Sequence, residues 1–173
     1  MKMLAVSALL CVTVALTRAA VVPEAAASKD LSVKSHLVKR STSCSGRWTN
    51  INGRCFHYFP APMTWAKAER NCQSIGGNLA SVHDIQEYHE IQSLIKTATY
   101  QSKETWIGGS DAQEESVWLW SDGSRFSYTN WCPGEPNNWR GRQHCIQINH
   151  GGDKCWDDVG CGASRPFVCS KKM

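Results

Sequence analysis

The segment WCPGEPNNWRGRQHC, Trp131 to Cys145, gathers oxygen donors with little apolar cover. Glu135, Asn137, Asn138 and Gln143 stand there among two prolines, two glycines and two arginines. Beyond it, CWDDVGC sets Asp157 and Asp158 side by side between Cys155 and Cys161. Adjacent carboxylates repel unless something positive stands beside them. A hard cation such as calcium takes about six to eight oxygens, from carboxylates and side-chain amides. One ion held between the loop and the Asp pair accounts for both segments, and the flanking cysteines would limit the entropy lost in ordering its ligands. The same residues are also turn chemistry, GEPNN as a turn and DD as a solvated hairpin tip, so spacing alone leaves both readings open.

Other chemistries find less support. There is no His, Ser and carboxylate spacing of a nucleophilic triad and no phosphate-binding glycine loop, so the expectation is a binding protein and not an enzyme. Of the 19 basic residues six lie in the first 40 positions, and of the 15 acidic residues only two do. The remainder is therefore balanced in charge, which excludes the basic footprint of a nucleic-acid partner. Cysteine-bound zinc is disfavoured because no CxxC pair occurs.

The elements that must position the loop are readable in outline. RCFHYF, Arg54 to Phe59, is strand-like and meets Pro60 and Pro62. Thr64 precedes a helical pattern in which Trp65, Ala68, Cys72 and Ile75 share a face, stopped by Gly76 and Gly77. Asp84 and Glu87 form a capping-box pattern for a second helix with Ile85, Tyr88, Ile91 and Leu94 on one side. His83 and His89 read as helix-surface residues without a role. From Thr105 the chain changes to short strand-like runs, TWIGG, VWLW, RFSY, CIQI and PFVC, with the polar loop between RFSY and CIQI. The expected class is α+β, two helices with short, mainly antiparallel strands and one long irregular excursion.

The domain is expected at 41–173. Residues 1–20 carry Lys2, an apolar run from Met3 to Leu16 and a small-residue end, the layout of a signal peptide cleaved near Ala19 or Ala20. The run is shorter than the ~20 residues of a spanning helix, so no membrane anchor is expected. Residues 21–40 lack aromatics and end in Lys39-Arg40, and read as a propeptide or a disordered spacer. The protein is thus expected to be secreted. Beyond Cys11 there are eight cysteines, an even set that reads as a disulfide framework in an oxidising compartment, with several pairings open.

Four features together resemble a C-type lectin domain from Cys44 to Cys169: WIGG at Trp106–Gly109, EPN at Glu135–Asn137, CWDD at Cys155–Asp158, and the cysteine order. ALTRAA, CIQIN and KCWDD further resemble the fish group of ladderlectin-like lectins and type II antifreeze proteins. The resemblance implies bridges Cys44–Cys55, Cys72–Cys169 and Cys145–Cys161, with Cys132–Cys155 as the extra bridge of the fish group. It implies a calcium site at Glu135, Asn137, Gln143, Asp157 and Asp158. Glutamate is usual at Gln143 and asparagine at Asp157, so one carboxylate is lost and one gained. The family's ligands also hydrogen-bond sugar hydroxyls, which places Glu135, Asn137, Gln143 and Asp157 at a sugar, with Trp139 stacked on its apolar face. Exchanging donor and acceptor there costs about 1–3 kcal/mol where a group is left unpaired.

EPN is the mannose-type motif, whereas the tryptophan is a feature of galactose binders. The resemblance therefore implies a calcium-dependent lectin for microbial or host glycans, mannose-type in preference, with a role in innate defence. Oligomers would add strength through multivalency, although no heptad or unpaired cysteine provides for one. An auxiliary calcium site would need Asp111, Glu115, Asn138 and His144, and His144 stands where a carboxylate belongs. The alternative is an ice-binding protein on the same scaffold. Those relatives carry a fifth disulfide, and this chain has Ala112 and His144 at the corresponding positions.

Overall fold

A computed structural model describes residues 43–173, so the expected signal peptide and the 21–40 segment lie outside the described residues. Two helices and eight strands are arranged α+β, as the sequence pattern requires. Strands β1 (Thr49–Ile51), β2 (Arg54–Met63), β4 (Thr105–Ser110), β6 (Cys145–His150), β7 (Cys155–Val159) and β8 (Arg165–Lys172) form one sheet in the order β1-β2-β8-β4-β6-β7. The short β3 (Asn78–Leu79) pairs with β8 and β5 (Leu119–Trp120) with β4. All pairings are antiparallel except β4 with β8.

Helix α1 (Trp65–Ser74) begins after Thr64, whose extended backbone fits an N-cap although its side chain makes no cap bond. It buries Ala68 and Cys72, while Ile75, expected on the same face, lies beyond the helix and is largely exposed. Helix α2 (Ile85–Thr99) starts where the capping pair predicts. Asp84 Oδ1 accepts the Glu87 N–H at 2.7 Å, and Glu87 reaches back one residue further than expected, to the His83 N–H at 2.8 Å. Buried Glu87 is neutralised by Arg54, 2.6 Å away on β2, which ties the helix to the sheet. Tyr88, Ile91 and Ile95 form its buried face, with Leu94 half-buried beside them.

Two strand expectations change. Strand β2 runs through Pro60 and Pro62 to Met63, because its register against β8 is interrupted between Phe59 and Met63 and needs no N–H from either proline. RFSY is not a strand. It runs irregularly past the sheet and is held by its rings, with Phe126 4.8 Å from Trp120 and Tyr128 5.6 Å from Trp156, centroid to centroid.

The glycines of WIGG permit close packing at the centre. A Cβ on Gly108 would stand 2.6 Å from the Leu79 carbonyl oxygen, and one on Gly109 would enter the Ile146 side chain. The neighbouring Glu69 is buried yet satisfied, accepting from Gln73, Asn78, Ser121 and the Leu79 N–H. Four disulfides close the fold: Cys44–Cys55, Cys72–Cys169, Cys132–Cys155 and Cys145–Cys161. The first two fasten the end of β8 and the entry to β2. The others bracket the polar loop, and in the chain-entropy account the 23-residue closure of Cys132–Cys155 contributes about 3 kcal/mol.

Candidate functional site

Strand β7 is the floor of the site. Its alternation sends Trp156 into an aromatic nest and Asp157 towards Gln147, its partner across the strand pair. The loop is stitched to this strand where it begins. The Cys132 N–H donates to the Trp156 carbonyl and the Trp156 N–H to the Asn130 carbonyl, both at 2.8 Å, beside the Cys132–Cys155 bridge. Further along, the N–H groups of Asn137 and Asn138 donate to the two oxygens of Asp158, at 2.9 and 2.8 Å. The loop's return is fastened by His144 N–H to the Val159 carbonyl at 3.2 Å and by Cys145–Cys161.

The result is convergence. Glu135, Asp157 and Asp158 each offer an oxygen, all within 4.8 Å of one another. Glu135 Oε1 accepts the Asn137 side-chain amide at 2.8 Å, while the buried Glu135 Oε2 has no partner. Among the described residues neither Lys nor Arg forms an ion pair with the three carboxylates, and the one basic group beside them is His150, 3.3 Å from Asp157. Three carboxylates, one with an orphaned oxygen, form a donor set suited to a hard divalent cation.

Gln143 and Trp139 are bonded within the loop itself. Gln143 Oε1 accepts the Trp139 N–H at 2.5 Å, and the Gln143 N–H donates to Asn138 Oδ1 at 3.0 Å. Its carbonyl thus closes the 3₁₀ turn Trp139–Gly141. Trp139 is 60% exposed, with the Arg140 guanidinium 4.0 Å above its ring. A cleft of about 630 Å³ near Arg54, Asn78, His83 and Asp122 includes none of these loop residues.

The model of the lectin C-type domain matches residues 61–171. Ladderlectin of Oncorhynchus mykiss is 40% identical, over 96% of this chain and 92% of its own length. The chain belongs to the C-type lectin domain family. The galactose-specific lectin nattectin of Thalassophryne nattereri is 39% identical over 83% of this chain and 90% of that protein. The solved herring type II antifreeze protein superposes with a TM-score of 0.71 at 35% identity, over 75% of this chain and 99% of that one.

The electrostatics of this C-type lectin domain follow from its packing. Burial pushes the Glu135 carboxyl above its usual range, and the neighbouring Asp158 and Asp157 push it further. Burial also raises Asp157, with Asp158 and Glu104 adding to the effect, against the Gln147 hydrogen bond and His150, which lower it. These two groups therefore favour the ion-free folded state while protonated in acid. That contribution is lost as pH rises, because the unfolded chain gives up its protons first and the folded chain is left with uncompensated charge. A bound dication reverses this and needs both groups ionised. The rise in melting temperature on adding calcium is thus expected to be largest at about pH 7 and to vanish by about pH 4. Melting curves in calcium and in calcium-free buffer across that range check it.

Four positioning residues are invisible to motif reading. Gln147 Nε2 donates to Asp157 at 2.8 Å, and its Oε1 accepts Arg165 Nε at 2.8 Å. Arg165 in turn lies 3.2 Å from Glu104, and His150 lies beside both Glu104 and Asp157. The usable signal was the period-2 register of CIQIN against CWDD, which sets Gln147 opposite Asp157.

Proposed function

We propose that the domain is a secreted, calcium-dependent carbohydrate-binding lectin of mannose type. The observation that carries this reading is the convergence of Glu135, Asp157 and Asp158 around an unpartnered carboxylate oxygen, on a loop bolted to β7 at both ends. Glu135, Asp157 and Asp158 would hold the ion, with the Asn137 side chain beside Glu135. The Gln143 carbonyl would join through its second lone pair while keeping the Trp139 N–H. Calcium bound there supplies a positive centre for a pair of sugar hydroxyls. The surrounding side chains set which hydroxyl pair fits, Glu135 and Asp157 accepting and the Asn137 amide donating. EPN at 135–137 favours the mannose-type pair, and Trp139 offers ring surface beside it.

Secretion accords with four disulfides, and no helix among the described residues is long and apolar enough to cross a membrane. Similarity to a herring antifreeze protein keeps ice binding as the second reading. Protein held on immobilised mannan in millimolar calcium is expected to elute with free mannose well before it elutes with galactose. Preferential elution by galactose overturns the mannose assignment. Failure to bind either sugar, together with thermal hysteresis in ice growth, would move the function to ice.

A further inference from the structure

Asn138 touches two acidic groups. Its backbone N–H holds Asp158, while its side-chain amide donates to Glu115 Oε2 in a separate cluster. There His144 Nδ1 lies 3.1 Å from Asp111 Oδ1 and 3.6 Å from Glu115 Oε2. Asp111 is 2% exposed, whereas the side chains of His144 and Glu115 are 29% and 53% exposed, so the group is anchored on one side and open on the other.

The anchoring is backbone-built. The Asp111 N–H donates to the His144 carbonyl at 3.2 Å, and Ser110 Oγ donates to the same carbonyl at 2.8 Å. The Ser116 N–H occupies Asp111 Oδ2 at 2.8 Å, which leaves Oδ1 facing the imidazole. Asp111 and His144 are thus held face to face before any ligand arrives. Glu115 Oε2 closes on the same imidazole nitrogen from the open side, so that one nitrogen and two carboxylates converge.

We propose that Asp111, Glu115 and His144 form a second metal site, for a borderline dication of the zinc type and not for calcium. Calcium takes oxygen donors, about six to eight of them, and one of these three ligands is an imidazole nitrogen. A tetrahedral zinc ion with bonds of about 2.0–2.1 Å keeps its ligand atoms about 3.3–3.4 Å apart. The separations of 3.1 and 3.6 Å from the nitrogen to the two oxygens straddle that value. Three protein ligands leave the fourth position to water, in keeping with the open side of the cluster. Glu115 Oε2 carries a second lone pair, so it can meet the ion while it keeps the Asn138 amide. The inference does not depend on the sugar reading.

The test is a calorimetric titration of zinc chloride into the full chain, free of any affinity tag, with calcium saturating so that the loop carboxylates are engaged. One equivalent of zinc is expected to bind. H144A and E115Q should each weaken it by on the order of tenfold or more. E115Q alters an exposed side chain and tests the site without burdening the fold. H89A, on the exposed part of α2, should leave binding unchanged. Absence of saturable zinc binding, or equal binding by the wild type, H144A and E115Q, overturns the proposal.

Discussion

Asp158→Asn is expected to remove the response to calcium while leaving the calcium-free protein folded. Asp158 is fully buried and gives one oxygen to each of the Asn137 and Asn138 N–H groups. Asparagine keeps its shape but turns a donor towards one of those N–H groups, a loss of about 1–3 kcal/mol. In the ion-free chain this is offset in part, because one of three mutually repelling carboxylates is gone. With calcium no such offset exists. A ligand carboxylate is lost, and affinity should fall on the order of 100-fold, the upper end of what even outer partners of a metal cost. At calcium about 100 times the wild-type dissociation constant, stabilisation is about 2.7 kcal/mol for the wild type and about 0.4 kcal/mol for the variant. Melting curves with and without calcium read the difference, and D153N on the exposed turn before β7 serves as the control. A D158N protein that calcium stabilises as well as it does the wild type would remove Asp158 from the site.

Trp156→Ala is expected to be the most damaging single change to the fold beneath the loop. The indole is fully buried, with Tyr88, Trp120, Phe126, Tyr128 and Trp131 all within 6.3 Å, centroid to centroid. Truncation of such a ring costs about 3–5 kcal/mol. For a domain of this size that lowers the melting temperature by roughly 10–20 °C. The loss should reach the site as well, since the backbone of Trp156 carries both hydrogen bonds that fix the start of the loop. Its Nε1–H has no partner, so Trp156→Phe forfeits ring area but no hydrogen bond and should recover most of the stability. A W156A protein that melts within a few degrees of the wild type would mean that the nest does not support β7.

The helices were legible because a 3.6-residue apolar period and a capping pair are local signals, and α2 starts where Asp84 and Glu87 place it. The end of β2 was not, since tolerance of Pro60 and Pro62 depends on a register break against β8, a strand more than a hundred residues away. RFSY has the composition of a strand and lacks a backbone partner, and partner availability is a tertiary property. At the site, charge and turn chemistry singled out the loop carboxylate and the Asp pair but left a cation site and solvated turns both open, and the ligand set came with the family resemblance. Cysteine arithmetic left the pairing open, and the assignment came with the family resemblance. The part of Gln143 in closing the turn at Trp139 was not legible, because it depends on how the loop folds back on itself. His150 on β6, Arg165 on β8 and Glu104 just before β4 became visible only once the sheet brought three separate strands around Asp157 and Gln147.

The central claim is that one constellation, Glu135 with Asp157 and Asp158, serves both the ion and the sugar. The most direct measurement is retention on immobilised mannan as calcium is titrated, set beside the calcium-dependent rise in melting temperature of the same protein. Retention should appear over the calcium range in which the melting temperature rises, be abolished by a chelator, and be absent in D158N. Retention that persists in chelator, or a melting temperature that responds to calcium while mannan is never bound, would contradict the claim.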